Sequence, residues 1–213
     1  MQFQKTALAL CAAGLLSLPG LVAASGGPSG PAVTFAVQGN IGEVIVNPYK
    51  LAPLTAIIRN GGYELQDVEG RIVPKQNGQE IKYKVSKRQL KNNAGIPIFG
   101  LYPDYLNTVE VKYTRLFNGK AEKFSESYQF YAPPVFTLSN GMPAQKGTMF
   151  QTEVIKVDPQ FKNRLYLVDN QLSPISPHGA RFTWNNPSGG ALEWAFNSQV
   201  GIIDTSGDLR WYL

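Results

Sequence analysis

From Thr108 to Thr114 the chain alternates strictly, with Val109, Val111 and Tyr113 on one side and Thr108, Glu110, Lys112 and Thr114 on the other. A period of two describes a strand with one buried and one wet face. Runs of the same β-favouring character recur at Val33 to Val37, Glu43 to Val46, Leu54 to Arg59, Tyr63 to Val73, Glu80 to Val85, Ile96 to Leu101 and Lys123 to Tyr131. Asn60-Gly61-Gly62, Gln76-Asn77-Gly78 and Asn118-Gly119 separate several of them, and such residues supply the positive φ that tight hairpin turns require. No stretch beyond the leader shows a helical period over eleven or more residues. These runs predict an all-β chain, a meander of antiparallel strands closed as an immunoglobulin-like β-sandwich over residues 32–137, since two sheets can bury their apolar faces against each other.

Ala132-Pro133-Pro134 interrupts pairing, because proline lacks the amide a central strand donates. Residues 138–150 read as a linker. Strands are expected again at Gln151 to Val157, Arg164 to Val168, Leu192 to Phe196, Val200 to Asp204 and Asp208 to Leu213. Asp204-Thr205-Ser206-Gly207-Asp208 forms a hairpin turn in which Gly207 takes the left-handed position. The last run, Trp211-Tyr212-Leu213, is apolar and aromatic and should face a neighbour, which points to further chain or to a partner completing the sheet.

The N-terminal residues read as an export signal over residues 1–24: one positive charge at Lys5, an apolar stretch from Thr6 to Leu18, and small residues at Val22-Ala23-Ala24, with cleavage after Ala24. The apolar stretch is shorter than the roughly 20 residues that cross a bilayer, so a membrane anchor is disfavoured. Residues 25–31 follow as a flexible leader of Gly, Pro and Ser. Cys11, the single cysteine, lies too soon after Lys5 for a lipidation site and reads as filler within the signal. The mature chain then has no thiol for a disulfide, a nucleophile or a metal. About 190 residues remain, enough for one or two cores.

The formal net charge of +5 loses one positive charge with Lys5. Its densest cluster, Lys82, Lys84, Lys87, Arg88 and Lys91 interleaved with Tyr83 and Val85, follows strand alternation and reads as a solvated face. A nucleic-acid surface would carry more charge and stacking aromatics.

Residues able to carry chemistry are sparse. His178, the single histidine, lies in the loop sequence Ser176-Pro177-His178-Gly179 without the partners of a zinc site, and reads as loop filler rather than a base. Asp204 and Asp208 lack the ligand spacing of a calcium loop and are explained by turn chemistry. Glu43, Glu69 and Glu153 stand apart along separate strands, so a glycosidase-type carboxylate pair would have to be assembled by the fold. There is no Gly-x-Ser-x-Gly, phosphate loop or dinucleotide fingerprint. Tyr102-Pro103-Asp104-Tyr105, Trp184, Trp194 and Trp211 are aromatics that could bind a ring or a sugar, though aromatics in short strands more often belong to cores.

Several stretches taken together resemble the bacterial periplasmic arylsulfate sulfotransferase family. They are Ile41-Gly42-Glu43-Val44-Ile45-Val46-Asn47-Pro48-Tyr49 with Leu51-Ala52-Pro53-Leu54-Thr55-Ala56, then Gly95-Ile96-Pro97-Ile98-Phe99-Gly100-Leu101-Tyr102-Pro103-Asp104-Tyr105 and Tyr131-Ala132-Pro133-Pro134-Val135. Trp184-Asn185-Asn186-Pro187, Gly189-Gly190-Ala191-Leu192-Glu193-Trp194 and Gly201-Ile202-Ile203-Asp204-Thr205 through Leu213 continue the series. The resemblance implies an N-terminal sandwich followed by a six-bladed β-propeller, of which residues 151–213 are the incomplete first part, and a homodimeric protein exported to the periplasm. It implies transfer of a sulfuryl group from an aryl sulfate donor to a phenolic acceptor through a sulfohistidine, with no cofactor or nucleotide donor, no nucleic acid, and no membrane contact after signal cleavage. The residues of that chemistry belong to blades beyond Leu213, and His178 matches none of them. No catalytic, cofactor-binding or metal-binding residue is therefore assigned, and these residues alone are expected to be inactive. The alternative from another class is a free-standing periplasmic binding or assembly module.

Overall fold

The computed structural model describes residues 31–137, 145–146, 152–172 and 197–212. Strands β1 (Val33–Phe35), β2 (Val44–Val46), β3 (Thr55–Arg59) and β6 (Gly95–Phe99) form one four-stranded sheet in the order β1-β2-β3-β6. A second sheet has the order β5-β4-β7-β8, from β4 (Glu64–Ile72), β5 (Ile81–Val85), β7 (Tyr105–Phe117) and β8 (Lys120–Ala132). All pairings are antiparallel. The chain therefore changes sheets after β3, β5 and β6, where the expected meander would keep neighbours in sequence adjacent. A single meander would leave every apolar face on one sheet with nothing to cover it, and crossing between layers buries both faces.

The alternation is realised on β7 from Thr108 to Tyr113: Val109, Val111 and Tyr113 are buried in the same cluster as Val44, Val46, Ile58 and Ile98 of the opposite sheet, and Thr114, expected on the wet face, is buried as well. Between Gln66 and Glu69 the β4–β7 register slips, with Asp67 at φ 51°. This bulge inserts an extra residue, after which Val68, Gly70 and Ile72 face inward. The β7–β8 hairpin turns on Asn118 and Gly119, at φ 49° and 75°, the pair that a two-residue turn demands.

The basic cluster divides between two elements. Lys82 and Lys84 lie exposed on β5, and Lys82 pairs with Glu69 of β4 at 3.3 Å. Lys87, Arg88 and Lys91 instead belong to a short helix, α1 (Lys87–Asn93), rather than to a continued strand. Its start is a capping box: Ser86 Oγ accepts from the Gln89 amide at 3.3 Å, and Gln89 Oε1 accepts from the Ser86 amide at 2.8 Å. Ser-x-x-Gln is the local signal that overrides the strand pattern.

Tyr83 fastens the two layers. It projects from β5 and donates its hydroxyl to the Pro97 carbonyl at 3.1 Å, while accepting from the Phe99 amide at 3.0 Å. Both partners lie on β6, the edge strand that tolerates a proline. Tyr83→Phe is expected to lower stability by about 1–3 kcal/mol, since two part-buried backbone groups lose their partner while the ring remains. Denaturant unfolding monitored by circular dichroism measures it, and an unchanged midpoint contradicts the stapling role.

Tyrosine protonation couples to this packing. Burial pushes the Tyr83, Tyr113 and Tyr128 hydroxyls well above the ordinary range, with Glu126 adding to the effect at Tyr128. Tyr131 rises to about 12, chiefly because its hydroxyl donates to the Asp104 carboxylate. In the unfolded chain these groups ionise near pH 10. The folded state thus holds protons that the unfolded state releases, so their stabilisation is complete below about pH 10 and is lost as pH climbs through the raised values. Tyrosinate absorbance is expected to rise late and together with loss of β-structure. Smooth ionisation near pH 10 with the fold intact contradicts this.

After the sandwich, β9 (Phe136–Thr137) pairs with β10 (Gln145–Lys146), so residues expected to be linker take part in a short ladder. Residues 152–158 carry no strand, against the strand expected from Gln151 to Val157. Ile155 there is 91% exposed, and a single 3-10 turn follows at Pro159–Phe161. A three-stranded antiparallel sheet then forms from β11 (Leu165–Leu172), β12 (Asn197–Asp204) and β13 (Leu209–Tyr212) in that order. The expected strand at Leu192 to Phe196 lies outside the described residues, as do residues 1–24, expected to be an export signal, and the cleavage expected after Ala24. No described helix is long and apolar enough to cross a membrane.

Candidate functional site

Among the described residues, a buried polar site joins the three-stranded sheet β11-β12-β13, hereafter the third sheet, to one end of the sandwich. It begins with the turn between β12 and β13. Asp204 Oδ1 accepts from the Ser206 and Asp208 amides at 2.9 and 3.1 Å, and Gly207 sits at φ 81°. The β12–β13 ladder then shifts register: Ile203 opposes Leu209 and Ile202 opposes Trp211. Arg210 is thereby the residue without an opposite number, and such a bulge re-aims a side chain.

The Arg210 side chain is completely buried. Its Nε and Nη2 donate to the Gly100 carbonyl at 3.0 and 2.8 Å, and its Nη1 donates to the Gln79 carbonyl at 2.9 Å and to Asp204 Oδ2 at 2.7 Å. Its guanidinium carbon lies 3.7 Å from the centre of the Tyr102 ring, a buried cation–π contact. Tyr102 in turn donates to the Gln79 carbonyl at 2.9 Å. Around this centre Thr205 donates from its amide and hydroxyl to Gln79 Oε1 at 3.1 and 2.6 Å, and Lys75 pairs with Asp208 at 2.5 Å. Every charge is matched and the backbone carbonyls are occupied, which is the condition for a buried ion pair to persist. The arrangement orients and holds.

An open groove of about 720 Å³ lies beside this junction, with Val154, Ile155, Val157, Phe161, Tyr166 and Ile203 among its lining. Among the described residues its lining carries Lys156 with the carboxylates of Glu153 and Asp158, while the Asp204 carboxylate is already paired with Arg210.

The residues singled out from the sequence separate. Tyr102 is 1% exposed and forms the floor under Arg210, while Tyr105 stands edge-on to it at 5.7 Å and is partly exposed. Trp211 is half-buried on β13, and Tyr212, 1% exposed, faces the sandwich core. Glu43 pairs with Arg59 at 3.2 Å, Glu69 with Lys82, and Glu153 lies exposed in residues 152–158, each in a different part of the fold. Asp204 and Asp208 do form the expected turn, and among the described residues no group of His, Cys, Asp and Glu could hold a metal. His178, Trp184 and Trp194 lie outside the described residues. Arg210, Gln79 and Gly100 were missed; the available signal was an arginine set among the apolar residues of Leu209-Arg210-Trp211-Tyr212, six positions after an aspartate.

The family model of the arylsulfotransferase Ig-like domain matches residues 43–133, the body of the two-sheet sandwich. Over those residues the chain carries the Ig-like domain of the arylsulfotransferase family. It is 35% identical over 227 residues to the arylsulfate sulfotransferase AssT of Lelliottia amnigena, covering 99% of this chain and 36% of that protein. To the arylsulfate sulfotransferase AssT of Escherichia coli O6:H1 it is 34% identical over 212 residues, covering 93% of this chain and 33% of the relative. The chain thus spans about a third of the length of the curated relatives it matches. The similarity extends past the Ig-like domain, so it takes in the sheet that carries Arg210.

Proposed function

We propose that this chain is the N-terminal portion of an arylsulfate sulfotransferase: an Ig-like sandwich followed, over residues 151–213, by the first part of a β-propeller. The observation carrying this reading is the 35% identity maintained over 99% of the chain. The complete protein moves a sulfuryl group from a phenolic sulfate ester to a phenol. An imidazole nitrogen attacks sulfur as the S–O bond to the first phenolate breaks, and the acceptor phenol oxygen then takes the sulfuryl group from nitrogen while losing its proton. Two displacements replace one difficult transfer, and cationic or neutral donors must meet the charge on the sulfate oxygens. The imidazole and those donors come from outside these 213 residues. Export to the periplasm after cleavage at Ala24, and a homodimeric assembly, belong to the same proposal.

Phenol release from an aryl sulfate, measured with the purified chain and a second phenol as acceptor, tests it. No turnover is expected from these residues alone. Turnover by the pure chain would place the sulfate-accepting group within residues 25–213 and overturn the assignment.

A further inference from the structure

The matched Ig-like span ends at residue 133, yet the core of the sandwich does not. Tyr212 is buried in the same apolar cluster as Ile41, Leu54, Ile81, Leu101 and Phe130, and Leu209 packs against that cluster. Both come from β13. Between them Arg210 reaches the carbonyls of Gly100, just after β6, and Gln79, just before β5, which are the loops closing this end of the sandwich. Gly100 stands at φ 88°, so the receiving loop is itself held in a conformation that only glycine adopts easily.

We infer that residues 204–212, although part of the segment proposed above as the start of a propeller, open and close together with the sandwich, and that Arg210 is the residue coupling the third sheet to it in one fixed orientation. Two carbonyls, one carboxylate and one ring face fix the plane of the guanidinium in every direction. A rotation of the third sheet on the sandwich has to pull this fork out whole, separating a buried cation from its acceptors and leaving Asp204 buried with no cation. Lysine cannot substitute, because a single ammonium does not span both carbonyls and the carboxylate while stacking on Tyr102. The Thr205–Gln79 and Lys75–Asp208 contacts ring the junction but are partly exposed, where polar pairs contribute little.

Amide hydrogen exchange on the full chain tests the coupling. In the parent chain, amides of β12 and β13 are expected to open with those of β7 and β8. In Arg210→Lys the β12 and β13 amides are expected to exchange at least about tenfold faster relative to β7 and β8, the two groups separating into distinct openings. Lys75→Met is expected to leave the two groups together. Should Arg210→Lys not fold, Asp204→Asn decides, with a smaller separation in the same direction expected. Equal acceleration of both groups, no acceleration, or the same separation in Lys75→Met overturns the inference.

Discussion

Arg210→Met is expected to lower the stability of the chain by about 3–5 kcal/mol, the range for removing one partner of a buried ion pair. Methionine replaces much of the stem volume, so the loss measures the head group rather than a void. Gly100 loses both donors to its carbonyl, while the Gln79 carbonyl keeps the Tyr102 hydroxyl. Asp204 keeps the Ser206 and Asp208 amides but has no cation beside it. Removing both charges is often close to neutral when apolar residues fill the space. Here Asp204→Leu added to Arg210→Met is expected to recover little, because the same carboxylate holds the turn. Urea unfolding of the two variants checks this: a loss below about 1 kcal/mol for Arg210→Met, or full recovery in the double variant, contradicts the account.

Phe130→Ala is expected to cost about 3–5 kcal/mol, whereas Phe117→Ala in the same hairpin stays within about 0.5 kcal/mol of the parent. The chemistry deleted is identical. Phe130 is 1% exposed on β8 and packs 6.1 Å from Phe35 of β1, so its ring ties the edge strand of the first sheet to the second. Phe117 is 57% exposed beside the Asn118-Gly119 turn. Denaturant midpoints for the two variants, at matched slope, separate the readings. Equal losses at both positions would mean that the hairpin tip is buried in solution.

Much of the β-structure was legible because its signals are local. The alternation at Thr108 to Thr114 and the turns at Asn118-Gly119 and Asp204 to Asp208 depend on the conformation of a few residues and on burial of one face. The short helix at Lys87–Asn93 was missed because two alternating positions on β5 were extended into it, although the Ser86–Gln89 capping box marks its start. Residues 152–158 show the opposite error. Their β-branched composition suggests a strand, but no strand among the described residues pairs with them, and a strand without a ladder has little to stabilise it.

The candidate site was less legible. Tyr102 reads as an exposed aromatic in a Tyr-Pro-Asp-Tyr loop, and becomes a buried floor only once Arg210 is laid over it. Trp211 and Tyr212 were expected to wait for a neighbour, and for Tyr212 the sandwich core is that neighbour.

The sequence by itself determined most of the sandwich strands, several of the turns and the family resemblance, since alternation, turn chemistry and motif order are written along the chain. Only the tertiary structure decided the pairing of β3 with β6 and of β4 with β7, and the burial of Arg210 against acceptors 110 and 131 positions away. The physical reason is that a buried guanidinium is stable only where carbonyls, a carboxylate and an aromatic face converge on it. No stretch of residues around Arg210 contains that convergence, so packing alone supplies it.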